Sequence, residues 1–189
     1  HSIWCHYHKA NRHNNQIYGR EGSTWECVHG SKDPIAEVLP LHGRSMAPPP
    51  ALRFPPNVFR QANLNGFTKI IQSIRNRWMR PNEEKCHLCL ELYGGVGTIG
   101  LNVLDLVDQL RCSDANPFNE ACFLQARNEL HSSMSKKATY FTKDATRMAL
   151  DGELHQNVDI LIVDPPRKGL DEEVLVEIEK TSVSRPKRI

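Results

Sequence analysis

Read as apolar and polar positions, the chain changes character twice. Its first part shows only short strand-like pieces, Ser2–His8, Gln16–Tyr18, Trp25–His29 and Glu37–Leu41, separated by Asn, Gly, Pro and Ser. Such a region is β-rich and has too few long apolar runs to close a core alone. Met46–Pro56 is proline-rich and reads as an extended connector. From Asn65 onward Phe67, Ile70, Ile71, Ile74 and Trp78 recur at three- and four-residue intervals, one apolar face of a helix that Pro81 stops.

The second change comes at Cys86. Cys86, Leu88, Leu90 and Leu92 alternate with His87, Cys89, Glu91 and Tyr93, the period of a strand, and the run ends at Gly94-Gly95. Val96 to Leu106 then predicts an apolar helix. Leu110–Ser113 is a short strand ending at Asp114, and Pro117 to about Leu130 a helix burying Phe118, Ala121, Cys122 and Ala126. Thr139–Phe141 is a third short strand ending near Asp144. Val158–Val163, VDILIV, is a continuous apolar strand that must be covered on both faces. GLDEEVLVEIEK forms a last helix with Leu170, Val174, Leu175 and Ile178 inward.

This alternation predicts an α/β fold, a parallel sheet with helices on each side. A boundary near Pro56 divides residues 1–55, a partial β-rich region with its connector, from residues 56–189, the α/β domain. Ligands of such sheets bind beyond the carboxyl ends of the strands, which puts Tyr93, Asp114, Asp144 and Asp164 on one rim.

Composition changes this picture little. A chain of 189 residues buries one good core, and a net charge of +2 is too small to argue nucleic-acid binding. Local clusters at Arg75, Arg77 and Arg80, at Lys136 and Lys137, and at Arg185, Lys187 and Arg188 permit phosphate contacts, with solvated helix faces as the alternative. Trp4, Tyr7 and Trp25 are read as packing residues rather than base-stacking ones. No run has the length of a membrane span, and nothing at the start resembles a secretory signal. The six cysteines are irregularly spaced, which fits reduced thiols in an intracellular compartment, the cytoplasm or an organelle. Strand alternation points Cys86 and Cys89 to opposite faces, and Cys5, His6 and His8 lack a paired second half, so no metal is expected. The chain opens on His1 and closes on SRPKRI, ends expected of a piece of a longer protein.

The candidate chemistry sits where strands become loops. Gly95, Gly97 and Gly100 fit G-x-G-x-x-G, which lets backbone N–H groups approach a ligand at a helix start. Glu91 puts a carboxylate beside that turn, where a cationic ammonium could be held, and this suits S-adenosylmethionine. Asp114 lies at about the 20-residue distance at which an acidic residue meets ribose hydroxyls; alternatively it caps the helix opening at Asn116-Pro117. Gln61 and Asn63 precede a helix and read by themselves as turn or cap residues. Directly after VDILIV stands Asp164-Pro165-Pro166-Arg167-Lys168-Gly169, in which two prolines fix an extended turn and hold the carboxylate with little freedom. Arg167 and Lys168 face an incoming phosphate. That motif points to methyl transfer rather than hydride transfer.

Together FRQANLNGF, ELYGGVGTIGL, SDANPFNEACFLQARNEL and DILIVDPPRKGLD resemble the RNA C5-methyluridine methyltransferase family, over about Phe54 to Asp171. The resemblance implies a Rossmann-like methyltransferase domain preceded by a β-rich region, S-adenosylmethionine as cofactor, and uridine in transfer or ribosomal RNA as substrate. It places Gln61 against the cofactor, Tyr93 with Gly95 and Gly97 around the methionine part, Thr98 beside the turn and Asp114 on the ribose. It also puts Asp144 near the adenine amine, Asp164 beside the sulfonium and target base, and Arg167 on the RNA. The chain departs from the family pattern at Gly94, usually cysteine, and at Asp114, more often glutamate.

Uracil C5 is a poor nucleophile, so the family's reaction adds a cysteine thiolate to C6, lets C5 attack the methyl group and removes the C5 proton with a base. In the family both groups lie beyond the helix after the Asp-Pro-Pro motif, and this chain has no matching position for either. The expectation is therefore the cofactor-binding part of such an enzyme, inactive by itself. An exocyclic-amine methyltransferase, which would normally carry an aromatic residue where Arg167 stands, and a non-catalytic RNA- or cofactor-binding scaffold are the alternatives.

Overall fold

A computed structural model describes residues 2–7, 24–45, 48–78 and 86–184, with the side chains of 182–184 left aside. Four strands, β5 (Cys86–Leu92), β6 (Val107–Ser113), β7 (Ala138–Phe141) and β8 (Ile160–Val163), form one sheet in the order β7-β6-β5-β8. Every pairing in it is parallel. The chain moves outward from β5 through β6 to β7 and then returns to the other side of β5 for β8. The order therefore reverses between β5 and β8, and the carboxyl ends of these two strands flank the crevice where open α/β sheets take ligands.

Register aligns the rim. Glu91 pairs with Cys112, Ser113 with Phe141 and Leu92 with Val163, so the four following loops leave the sheet at one level. Helices α1 (Leu64–Trp78) and α3 (Pro117–Asn128) contribute to one buried cluster with Cys89, Leu110, Cys112 and Ile160; α5 (Ala145–Leu150) and α6 (Glu172–Ser184) contribute to a second with Leu90 and Leu92. The sheet is thus covered on both faces, as an all-parallel sheet requires. Two short helices, α2 (Gly100–Val103) and α4 (Ser132–Ser135), complete the set.

The glycine turn is followed by less helix than the apolar run Val96–Leu106 predicts. Residues 95–99 are turns, α2 has four residues, and Leu104–Leu106 is a single 3₁₀ turn. β6 consequently starts at Val107, earlier than expected. Other helix faces shift by one position. Phe118 (45% exposed) and Ala121 point outward on α3, whereas Asn119 and Phe123 are buried with Cys122 and Ala126. Ile70 (55% exposed) and Leu175 lie outside the packed faces of α1 and α6, which use Phe67, Ile71, Ile74 and Trp78, and Val174 and Ile178.

Arg75 is neither a solvated residue nor a phosphate contact. Its side chain is completely buried and pairs with Asp105 at 2.6 Å, while also donating to the Asn102 and Gly43 carbonyls.

In the first part of the chain, β1 (Ile3–Tyr7) pairs antiparallel with β2 (Thr24–His29). The predicted strand Glu37–Leu41 is displaced: β3 is Ile35–Glu37, and its partner β4 (Leu52–Phe54) comes from the proline-rich connector. Leu39 is buried without being in a strand, and with Leu52, Phe54 and Val58 it joins the cluster beneath the sheet. The expected strand Gln16–Tyr18, together with His8, Met46, Arg80, Pro81, Arg185, Lys187 and Arg188, lies outside the described residues.

Candidate functional site

The carboxyl ends of β5 and β8 open onto a pocket lined by Phe59, Gln61, Phe67, Glu91, Tyr93, Gly94, Gly95, Val96, Thr98, Ile99 and Asp164. Sequence-derived candidates Gln61, Tyr93, Gly95, Thr98 and Asp164 thus meet in one place from three separate stretches of chain. Two aromatic members, Phe59 and Phe67, were not among those candidates. Phe59 is exposed and stands two positions ahead of Gln61, a signal that an apolar count alone reads as surface noise.

The turn is built from glycines with different tasks. Gly95 adopts φ +56°, and a Cβ there would meet open space. Gly97 (φ +78°) is a packing glycine, because a Cβ would come within 2.6 Å of the buried Phe123 ring. At Gly94 a Cβ would lie 2.4 Å from Cys112 Sγ, and at Gly100 2.3 Å from Glu91 Oε2. Only Gly95 among the four leaves backbone facing free volume. Its carbonyl accepts the Tyr140 hydroxyl (3.0 Å) and its N–H donates to Asp114 Oδ2 (3.0 Å), while Gly94 N–H donates to the Ser113 carbonyl (2.9 Å). The loops after β5 and β6 are therefore tied to each other, and the first of them to strand β7.

Asp114 is not the cap of α3. Asn116 fills that role, accepting from Phe118 N–H (3.1 Å), while Asp114 Oδ1 accepts the Asn116 N–H (2.8 Å). Asn63 precedes α1 and accepts the Gly66 N–H (2.9 Å), so of the two amides ahead of that helix one is a cap and the other, Gln61, faces the pocket. Asp144 caps α5 by accepting the Arg147 N–H (2.6 Å); neither it, Asp114 nor Gly97 lines the pocket. Arg167 is exposed on the loop that follows Asp164.

Glu91 lies deeper than a ligand-facing carboxylate would. It is 2% exposed, and its Oε1 accepts the Gly100 N–H (3.0 Å). Burial pushes its pKa up to about 7; the Cys112 thiol and the Gly100 N–H pull against this, and nearby Asp164 adds to the rise. Burial also raises Asp164. The wall of the pocket thus holds two carboxyl groups whose ionisation a cation would favour.

Tyr93 closes the rim. It has φ +57°, rare for a residue with a side chain, and its hydroxyl donates to Asp171 Oδ2 (2.9 Å). Burial, with the Asp171 carboxylate adding to it, pushes its pKa up to about 12, so it stays a donor. None of the six cysteines lines the pocket or forms a disulfide; burial raises the Cys89, Cys112 and Cys122 thiols, as expected of inert packing groups.

No protein-family model matches the chain. An uncharacterised RNA methyltransferase of Protochlamydia amoebophila is 36% identical over 132 residues, which cover 70% of this chain and 32% of that protein. Another, from Staphylococcus epidermidis, is 28% identical over 181 residues, 95% of this chain and 35% of its own. The chain thus spans about a third of the length of these curated relatives. Among solved structures, Pyrococcus abyssi tRNA (uracil-54, C5)-methyltransferase in complex with S-adenosyl-L-homocysteine superposes with a TM-score of 0.59 at 18% identity, covering 94% of this chain and 38% of that one. At that identity the likeness speaks for the fold, which is Rossmann-like. By sequence, the chain belongs to the family of these RNA methyltransferases, over the part of their length that it spans.

Proposed function

We propose that the chain is the S-adenosylmethionine-binding part of an RNA methyltransferase that forms 5-methyluridine in tRNA or rRNA. The observation that carries this reading is the pocket at the strand-order reversal, where the Gly95 backbone, Gln61, Tyr93, Thr98 and Asp164 converge beside the buried Glu91 carboxyl. When bound, S-adenosylmethionine supplies an electrophilic methyl group. In this reading Tyr93, Gly95 and Thr98 hold its methionine end, Gly97 keeps the turn in shape, and Asp114 and Asp144, on the neighbouring rim, serve the ribose and the adenine. Asp164 and Gln61 stand where sulfonium and base would meet, and Arg167 is left to the RNA phosphates. An ionised Asp164 favours a cation over its neutral thioether product, which helps exchange after each turnover.

Uracil chemistry asks for a thiolate, and the six cysteines offer none at the pocket. The nucleophile and the proton acceptor are therefore assigned to other parts of the whole protein, and the segment alone is expected to bind cofactor without turnover. Calorimetry with S-adenosylhomocysteine tests the first half of the reading: binding that Asp114→Ala and Tyr93→Ala abolish is expected, and a folded chain with no affinity overturns it. RNA carrying 5-fluorouridine tests the second half, since a covalent adduct with the whole protein is expected and an exocyclic-amine enzyme forms none.

A further inference from the structure

The loop between β8 and α6 is held at both ends by the pocket. At its start Asp164 lines the pocket wall; at its finish Asp171, seven residues on, accepts the Tyr93 hydroxyl and returns its own N–H to the same oxygen (3.4 Å). Between them Gly169 N–H donates to the Pro166 carbonyl (2.8 Å), closing a turn at a left-handed glycine (φ +88°). Lys168 pairs with Asp171 as well, and this contact, with the Tyr93 hydroxyl, holds the carboxyl below its ordinary range despite some burial. Asp171 therefore stays an anion, the stronger acceptor for a phenol.

Tyr93 occupies a backbone region that costs a side-chain-bearing residue energy, and such a conformation persists only where its surroundings over-determine it. The Asp171 hydrogen bond, made across 78 positions of sequence, is the fixing contact on the side-chain end. We propose that Asp171 is a positioning residue that clasps the loop bearing Arg167 and Lys168 to the glycine turn through Tyr93, so that one hydrogen bond shapes both the cofactor wall and the RNA-side loop. Asp171 touches neither reacting partner in this scheme; it acts through the tyrosine. The inference rests on reading the pocket as the S-adenosylmethionine site.

The clasp makes three variants behave as one unit. Asp171→Ala and Tyr93→Phe each weaken S-adenosylhomocysteine binding about tenfold in calorimetry, the size of a lost hydrogen bond to a charged acceptor, and the double variant is no weaker than either single. Asp171→Asn keeps an acceptor and recovers most of the affinity. Additive losses, or unchanged binding in Asp171→Ala, overturn the clasp. Hydrogen exchange on the ligand-free chain separates this from a failure of the cofactor reading. Asp171→Ala is expected to raise amide exchange both at residues 93–97 and at 167–170 while the β6 amides stay protected. Faster exchange in only one loop, or in neither, rejects the clasp even if no nucleoside binds.

Discussion

Burial of Glu91 gives the fold a pH dependence. Its carboxyl has a folded pKa of about 7 against an ordinary value of 4.5, because burial penalises the anion more than the Gly100 N–H and the Cys112 thiol compensate. Below pH 4.5 the group is protonated in both states and contributes no penalty. Between 4.5 and 7 the unfolded chain ionises first, so stability falls as pH rises; above 7 the loss is complete, on the order of 3 kcal/mol. Glu91→Gln should flatten that slope while keeping an acceptor for Gly100. Urea midpoints measured at pH 5, 6, 7 and 8 for both proteins check this, and parallel curves would assign the slope to another group. In the turn that follows, Cys112 Sγ lies 2.4 Å from where a Cβ at Gly94 would stand, so this packing takes glycine there.

At the scale of elements, the parallel α/β alternation and the convergence of the rim were legible because strand period and loop position are local properties. The helix after the turn is shorter than its apolar run suggests, since Val96, Ile99, Leu101, Val103 and Leu104 are all buried in the core although only Leu101 and Val103 lie on α2. Apolar spacing also placed Phe118 and Ala121 of α3 and Leu175 of α6 inward although they face out, and it gave no sign of Arg75. A cation inside a helix face is visible only once its partner is known, and Asp105 lies 30 positions away on another element. Both side chains are wholly buried, with the Ser45 N–H also donating to Asp105 (3.0 Å), so the pair joins α1, the loop before the connector and the 3₁₀ turn. Burial alone would raise Asp105, yet Arg75 and Ser45 bring it below its usual value. Asp105→Asn strands the guanidinium and should cost about 3–5 kcal/mol. Adding Arg75→Met to it should recover much of that loss, read as urea midpoints at constant m. Equal destabilisation in single and double variants would mean that the pair is worth no more than its packing.

At the scale of the whole molecule, buried contacts cross the break that the sequence pattern suggests. Composition puts the break near Pro56, but the cluster under the sheet includes Leu39, Leu52 and Phe54; β4 is joined to the C-cap of α3 by the Arg53–Glu129 pair (2.8 Å), and the residues after β4 to its N-cap by Asn116 Nδ2 donating to the Asn57 carbonyl (3.0 Å). The β1–β2 pair, in contrast, contributes no residue to either buried cluster. We infer that the folding unit starts after β2 and not at the proline-rich connector. A chain beginning at Ser31 should unfold cooperatively within about 1 kcal/mol of the parent, because what it loses is a separate hairpin. A chain beginning at Asn57 removes three fully packed side chains worth roughly 1.5–3 kcal/mol each, a loss comparable with the whole stability of an ordinary domain. It should show a broad, non-cooperative thermal transition and no S-adenosylhomocysteine response, although every pocket residue from Phe59 to Asp164 is still present. If the Asn57 chain melts as sharply as the parent, the packing of Leu39, Leu52 and Phe54 is dispensable and the boundary belongs at the connector after all.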